Sequence, residues 1–478
     1  MTARPATLGA LRRAGYPDRT VKQEVARNAA ARLRQGLPLI EGLVGFDETV
    51  LPALETAVLA GHDLILLGER GQAKSRIVRG LAALLDEAVP IIAGSEVNDH
   101  PYHPFSPAAR ALVAEHGDDT PLEWIGRERR YAEKLATPDI AVADLIGDVD
   151  PIKVAEGRYL ADEHTVHYGL VPRHNRGIVA INELPDLAER IQVALLNVME
   201  ERDVQVRGYS LRLPLDLLVV ATANPEDYTN RGRIITPLKD RFGAEIRTHY
   251  PRRLEDEVAI MRAEASLPSL AEGAGSGLPL VTVPTFLAEV LAAFTRALRH
   301  APEVNQRSGV SVRFSTGSYE TLAASALRRA VVRGEDLAVA RPVDLAQVLA
   351  AGMGKIEFET FEEGREAEIL ERLLRRALLE VFRRRLAGVD LSGLLGRFAD
   401  GLVVESGDLV TGEELLDQLG QAPGLARLMA ALEVEQESPA LAAAAVEFAL
   451  EGLHLSRRLD RHELGRSAVR YSGGGSSR

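Results

Sequence analysis

Residues 64–76 read Leu-Ile-Leu-Leu-Gly-Glu-Arg-Gly-Gln-Ala-Lys-Ser-Arg, four apolar residues running straight into a glycine-punctuated polar loop and then a helical pattern. Few folds accept that order. A short apolar run closed by glycine reads as a buried strand. The loop must then turn sharply enough to start a helix at about Lys74, which the pattern carries to about Leu85. Gly68 and Gly71 permit the turn and let successive backbone N–H groups converge on an anion. Lys74 would reach the β- and γ-phosphates of a nucleotide, and the Ser75 hydroxyl would ligate Mg²⁺. The positive end of the helix dipole faces the same phosphates. The candidate nucleotide-binding residues are therefore Gly68, Glu69, Arg70, Gly71, Gln72, Ala73, Lys74 and Ser75, with Ala73 where a glycine usually precedes the lysine.

A phosphate loop needs a second strand end to hold the metal and activate water. Gly177-Ile-Val-Ala-Ile-Asn-Glu183 supplies one, because ligands collect at the carboxyl ends of parallel strands. Glu183 could act as general base toward water, and Asn182 stands where an aspartate usually anchors the Mg²⁺ shell. Leu218–Thr222 leads to Asn224-Pro225, where Asn224 could orient the attacking water. Arg241, in Pro237-Leu-Lys-Asp-Arg-Phe-Gly243, is placed to reach a neighbouring subunit's γ-phosphate. Arg313, just ahead of a later helical pattern, is a candidate sensor of bound phosphate. Asp99, His100 and His103 suggest a metal site, but solvated histidines account for them more simply in a chain with no cysteine.

Short apolar runs alternate with helical patterns from Leu64 to about Tyr250, the signature of an α/β domain with a largely parallel sheet. The strand candidates are Leu64–Leu67, Val89–Ile92, Ile178–Ile181, Leu217–Thr222 and Ala244–Arg247. Helical stretches follow, broken by the Gly/Ser-containing linker Ser266–Leu280. Five parts result: an N-terminal helical arm (1–38), the nucleotide-binding domain (39–252), a helical lid (253–360), a mostly helical C-terminal region (361–470) and a Gly/Ser-rich tail expected to be disordered (471–478). With 478 residues, several domains are expected. The absence of cysteine excludes disulfides and thiolate chemistry, and no apolar run is long enough for a membrane span. Charged residues crowd positions 1–20, which argues against a signal peptide and for a cytoplasmic protein. A formal net charge of −12 argues against a nucleic-acid partner.

In this order the elements resemble an AAA+ ATPase of the helix-2-insert clade, which holds the MoxR proteins and the magnesium chelatase ATPase subunit. Gly-Glu-Arg-Gly-Gln-Ala-Lys-Ser blends the phosphate loops of both. Ala194-Leu-Leu-Asn-Val-Met-Glu-Glu-Arg-Asp-Val204 is similar to the helix after Walker B and its turn into the pre-sensor hairpin, here about Val204–Leu215. Arg231-Gly-Arg-Ile through Asp240-Arg-Phe resembles the chelatase approach to the arginine finger, and Asp144-Leu-Ile-Gly147 with Tyr159–Leu170 matches the helix-2 insert. The resemblance spans roughly residues 38–355. It implies an αβα P-loop sandwich with a parallel sheet and a helical lid, which binds and hydrolyses ATP with Mg²⁺. It further implies a homo-oligomeric, hexameric ring that acts as a chaperone, remodelling a client protein such as one with a von Willebrand A domain. Two alternatives stand beside it: a nucleotide-gated scaffold with weak hydrolysis, and the ATPase subunit of a tetrapyrrole metal chelatase.

Overall fold

The computed structural model describes residues 4–149, 166–200, 204–206, 209–211, 213–225, 233–267, 277–305, 309–359, 364–420, 424–435, 438–465 and 468–473. The chain divides into two compact units, Met1–His249 and Tyr250–Arg478.

In the first unit the strands are, in chain order, β1 (Leu64–Leu67), β2 (Ala88–Ile92), β3 (Leu122–Gly126), β4 (Tyr131–Leu135), β5 (Gly147–Val149), β6 (Val166–Tyr168), β7 (Gly177–Asn182), β8 (Val204–Val206), β9 (Tyr209–Leu211), β10 (Leu217–Ala223) and β11 (Ala244–Arg247). Five of them form one parallel sheet in the order β11-β1-β10-β7-β4. Alternation along the strands splits their side chains between two layers. Leu64, Leu66, Ile178, Ala180, Leu218 and Val220 pack on one face. Ile65, Leu67, Val179, Ile181, Val219 and Ala221 pack on the other, against the helix Glu189–Glu200. Burial on both faces is why these strands are continuous apolar runs.

The first face is covered by α2 (Val21–Arg34), α3 (Val50–Leu59) and α4 (Lys74–Leu81), which follow the short α1 (Leu8–Arg13). Thr20 and Gln23 form a capping box that starts α2. Residues read from sequence as an arm thus bury Val21, Val25 and Ala29 in the core of the sheet. Arg130 and Glu24, both buried, join α2 to the start of β4 through two hydrogen bonds of 2.8 and 2.7 Å.

Two strand assignments change. Residues 89–92 are extended as expected but pair antiparallel with β3, outside the main sheet. The fifth sheet strand is β4, which no apolar run announced. The expected insert shows the antiparallel pair β5–β6, with residues 150–165 outside the described residues, and the expected pre-sensor hairpin shows the pair β8–β9.

In the second unit the helices Leu254–Glu264, Thr285–Arg299, Val312–Arg333, Leu345–Gly352, Glu366–Arg385 and Pro439–Leu455 share one hydrophobic core with a parallel pair, β12 (Leu280–Thr282) and β13 (Leu337–Val339). The expected boundary at 360/361 runs through that core: Phe286 and Phe448 pack as a tilted pair with ring centroids 4.7 Å apart. Buried Arg341 donates to Glu447 at 2.7 Å and to Ser406 at 3.1 Å across the same boundary. The C-terminal region, expected to be helical, also carries a three-stranded antiparallel sheet of β14 (Val404–Gly407), β15 (Leu459–Gly465) and β16 (Ala468–Gly473), in the order β14-β16-β15. Tyr471, assigned from sequence to a disordered tail, is a buried residue of β16, and 474–478 lie outside the described residues.

Candidate nucleotide and metal site

The parallel register brings three strand ends to one edge. Leu67 pairs with Ala223, and the Gly68 N–H donates to the Ala223 carbonyl at 3.2 Å, so the loop after β1 and Asn224 after β10 leave the sheet side by side. β10 and β7 pair through Ala221 and Ile181, which places Asn182 and Glu183 next in line.

The loop is held by its own side chains. A Cβ at Gly68 would collide with Thr248 and Gln72, so only glycine fits there. The Gln72 side-chain oxygen accepts from the Glu69 N–H and the Thr248 hydroxyl, both at 3.0 Å. Gly71 has φ +79°, and Ala73, directly before α4, takes φ +58° and ψ +13°. The position where a glycine was expected therefore does require left-handed backbone, and alanine occupies it at a steric cost. Lys74 is buried at the first turn of α4. Its ammonium donates to the Gly68 carbonyl, to the Glu69 carbonyl at 3.1 Å and to Asn224 Oδ1 at 2.7 Å. Gly71 and Gln72 close the turn, and Arg70, Ser75 and Arg76 face solvent.

Glu183 also has left-handed backbone, φ +56° and ψ +47°, immediately after β7. For a non-glycine residue that conformation is strained, and it persists only where surrounding contacts impose it. Here they do. The Glu183 N–H donates to Thr222 Oγ1 at 3.1 Å, and the Asn224 amide donates to Glu183 Oε2 at 2.8 Å. The Thr222 hydroxyl donates to Asn182 Oδ1 at 3.3 Å, and Asn182 Nδ2 donates to Glu133 Oε1 at 2.7 Å. Glu133, on β4, accepts from Arg79 of α4 at 2.7 Å and 3.2 Å and from the Tyr131 hydroxyl at 3.1 Å. Arg79 holds the Glu133 carboxyl below the usual carboxylate range, with Asn182 and Tyr131 adding to it against the opposing effect of burial. One hydrogen-bonded chain thus runs Lys74–Asn224–Glu183–Thr222–Asn182–Glu133–Arg79.

Lys74, Asn182, Glu183 and Asn224 are joined in this hydrogen-bonded chain, in which Thr222, Glu133 and Arg79 were not anticipated. Thr222 reads as one more β-branched strand residue, and Glu133 lies in a segment with no strand signature. The donor set is oxygen-rich and suits Mg²⁺, a hard cation: a serine hydroxyl, an amide oxygen and a nearby carboxylate.

The remaining candidates lie apart. Arg241 ends the helix Thr236–Arg241 and ion-pairs with Glu200 at the end of Glu189–Glu200, not with its neighbour Asp240. Residues 231 and 232 of the approach to it are outside the described residues. Arg313 is exposed in the first turn of Val312–Arg333, in the second unit.

His100 and His103 do meet a carboxylate, but it is Asp18 and not Asp99. His103 Nε2 lies 2.6 Å from Asp18 Oδ2, and His100 Nε2 lies 3.7 Å from Asp18 Oδ1. Asp99 is buried and accepts from Phe105 N, Ser106 N and the hydroxyls of Ser95 and Ser106. The expectation of solvated histidines fails at His100, which is buried and whose pKa is pushed down to about 3, chiefly by desolvation and then by Arg176. Its Nδ1 accepts the Tyr102 N–H at 3.1 Å, which leaves the proton of the neutral ring on Nε2, the atom that faces Asp18. The three side chains offer ligand atoms within 4.8 Å of one another, with His103 paired directly to Asp18 and His100 Nε2 buried without a hydrogen-bond partner of its own among the described residues.

The ATPase family associated with various cellular activities (AAA) matches residues 129–243, which contain β4, β7 and β10. The magnesium-chelatase 38 kDa subunit of Rhodobacter capsulatus is 30% identical over 247 residues, covering 49% of this chain and 62% of that protein. These matches support an AAA+ ATPase related to the magnesium-chelatase ATPase subunits. The corresponding 38 kDa subunit of Acidiphilium rubrum is 31% identical over 248 residues, covering 46% of this chain and 66% of that protein. The chain therefore spans a little over three-fifths of the length of the curated relatives it matches. A magnesium chelatase BchI–BchD complex aligns with 70% of this chain and 98% of its own at 22% identity and a TM-score of 0.36, and carries no argument at that score.

Proposed function

We propose that this chain binds MgATP at Gly68–Ser75, hydrolyses it, and uses the cycle to remodel or activate a partner protein from within a homo-oligomeric, hexameric ring. The observation that carries the reading is the Lys74–Asn224–Glu183 connection. It ties the loop that would cradle the phosphates to the carboxylate that would take a proton from water.

Lys74 gives up backbone carbonyls of its own loop when phosphate oxygens are offered, so its charge is pre-positioned at the anion. Glu183 accepts the proton of the attacking water, and Asn224, hydrogen-bonded to that carboxylate, orients the same water. Ser75 and Asn182 are the residues that would hold Mg²⁺, whose charge offsets that on the transferring phosphoryl group. Arg241 is assigned to the γ-phosphate of an adjacent subunit and Arg313 to sensing it. The nucleotide-binding domain is taken as residues 39–252, with the helical lid beginning at residue 253.

The relatives' names, subunits of a magnesium chelatase, support a protein partner and tetrapyrrole metal insertion as one setting, and a von Willebrand A domain protein is another candidate client. Asn182, a neutral amide at the metal strand, favours a second reading: a nucleotide-gated scaffold that turns over slowly. Among the described residues no helix is long and apolar enough to cross a membrane, which is compatible with work in the cytoplasm.

Lys74→Ala tests the site. Nucleotide binding should be lost while the circular dichroism spectrum is retained. Unchanged ATP affinity in that variant would overturn the assignment. Phosphate release at saturating MgATP then separates a motor from a scaffold.

A further inference from the structure

At the end of β7 stands an amide where the metal shell calls for charge, and the structure places a carboxylate directly on that amide. Glu133 pairs with Ala180 in the register between β4 and β7, and Asn182 lies two residues further on, so both side chains project from one face of the sheet. The Asn182–Glu133 hydrogen bond closes that diagonal at 2.7 Å. From the other side Arg79 grips the same carboxylate. Arg79 follows Ser75 by one helical turn in α4, so the two share a helix face. Glu133 thereby touches Asn182 and the helix face of Ser75, the two elements assigned to the metal.

We infer that Glu133 supplies to the Mg²⁺ shell the negative charge that Asn182 lacks, and that Arg79 is the cation holding Glu133 in place until the metal nucleotide arrives. The inference rests on the nucleotide-site reading above and deepens it. Mg²⁺ sites on nucleotide enzymes draw on one or two carboxylates, phosphate oxygens and retained waters. Glu183 is occupied by its catalytic task and by Asn224, whereas Glu133 has no role in the proton transfer. The Arg79 side chain is 67% exposed, so its hold on Glu133 is screened by solvent and yields readily to a dication. Asn182 is then a relay: its Nδ2 fixes Glu133, and its Oδ1 faces the Thr222 hydroxyl that supports Glu183.

A purely structural role for the Arg79–Glu133 pair, as a strut between α4 and β4, makes a different forecast. Under that role Glu133→Gln and Arg79→Ala weaken the site alike. Under the metal role they act in opposite directions, because one removes a ligand-shell charge and the other removes its competitor. The experiment uses the full chain and a fluorescent, non-hydrolysable ATP analogue, titrated with Mg²⁺ and separately in EDTA. In E133Q the Mg²⁺ concentration for half-maximal tightening should rise about ten-fold, the worth of one charge-assisted hydrogen bond. Affinity in EDTA should stay unchanged, which also reports that the variant is folded. In R79A the Mg²⁺ requirement should fall. When N182D supplies the missing carboxylate, adding E133Q should change little. Equal Mg²⁺ requirements in E133Q and the unmodified chain overturn the assignment of Glu133, as does parallel weakening in E133Q and R79A. No analogue binding by the unmodified chain overturns instead the nucleotide-site reading beneath it.

Discussion

At the scale of single residues, the site is marked by two non-glycine positions with left-handed backbone, and they are strained for different reasons. Glu183 is turned at the end of β7 so that its carboxylate meets Asn224, and the strain is part of the aim. Ala73 has no polar group to aim. It stands at φ +58° because the loop must reverse there before α4 begins, whichever residue occupies the position. Replacing alanine by glycine inside an ordinary helix costs roughly 0.5–1 kcal/mol. At residue 73 the relief of left-handed strain, roughly 1–2 kcal/mol, works against that cost and the loss of a partly buried methyl. Ala73→Gly is therefore expected to leave stability unchanged or raise it by up to about 1 kcal/mol. The urea midpoint decides this, and a loss of about 1 kcal/mol would mean that residue 73 is not left-handed in solution.

Among elements, what could be read in advance follows burial. Leu64–Leu67, Ile178–Ile181 and Leu217–Thr222 are sandwiched between two helical layers, so they hold almost nothing but apolar residues and announce themselves. β4 lies at the edge of the sheet, where Tyr-Ala-Glu-Lys-Leu can keep two charges, and its periodicity is lost among the neighbouring polar residues. Val89 and Ile91 are apolar because antiparallel pairing with β3 buries them with Ile125 in a small cluster of their own. Apolarity alone could not say which sheet they join. Glu133 was missed together with β4, which is how the charge beside Asn182 escaped notice while Asn182 itself did not. β15 is likewise hidden by Asp460, Arg461, His462 and Glu463, most of them exposed.

A buried ion pair that no local sequence pattern reveals ties α2 to the start of the edge strand. The Arg130 side chain is fully buried and donates to both oxygens of Glu24 and to the Arg176 carbonyl at 2.8 Å. The Asp86 N–H also donates to Glu24 Oε1 at 2.6 Å. Removing one member strands the other charge in the interior, which costs about 3–5 kcal/mol. Glu24→Gln should therefore lower the stability of the first unit by that amount with little change in side-chain volume. Replacing both members by Leu and Met should cost far less. If chemical denaturation shows E24Q within about 1 kcal/mol of the unmodified chain, α2 is not held by this pair.

At the scale of the whole molecule, Arg241 is the candidate residue whose role needs more than one chain. It ends its helix half-exposed and rests on Glu200, a partly exposed pair of the kind that contributes about 0–1 kcal/mol and is easily exchanged for a stronger anion. The γ-phosphate on an adjacent subunit would be such an anion, and arginine fingers contribute about 10³-fold or more to related phosphoryl transfer. If Arg241 merely braces Glu200, then Arg241→Ala lowers stability slightly and leaves turnover alone. If it completes a neighbour's site, ATPase rate per chain rises with protein concentration, and Arg241→Ala falls to a small residual rate at every concentration while still binding nucleotide. Mixing discriminates further. Arg241→Ala keeps an intact phosphate loop and Lys74→Ala keeps an intact finger, so two inactive preparations should regain activity when combined, in proportion to the interfaces that pair one with the other. Full activity of Arg241→Ala alone, or no recovery in a mixture shown by light scattering to co-assemble, rules out a site shared between subunits through this arginine.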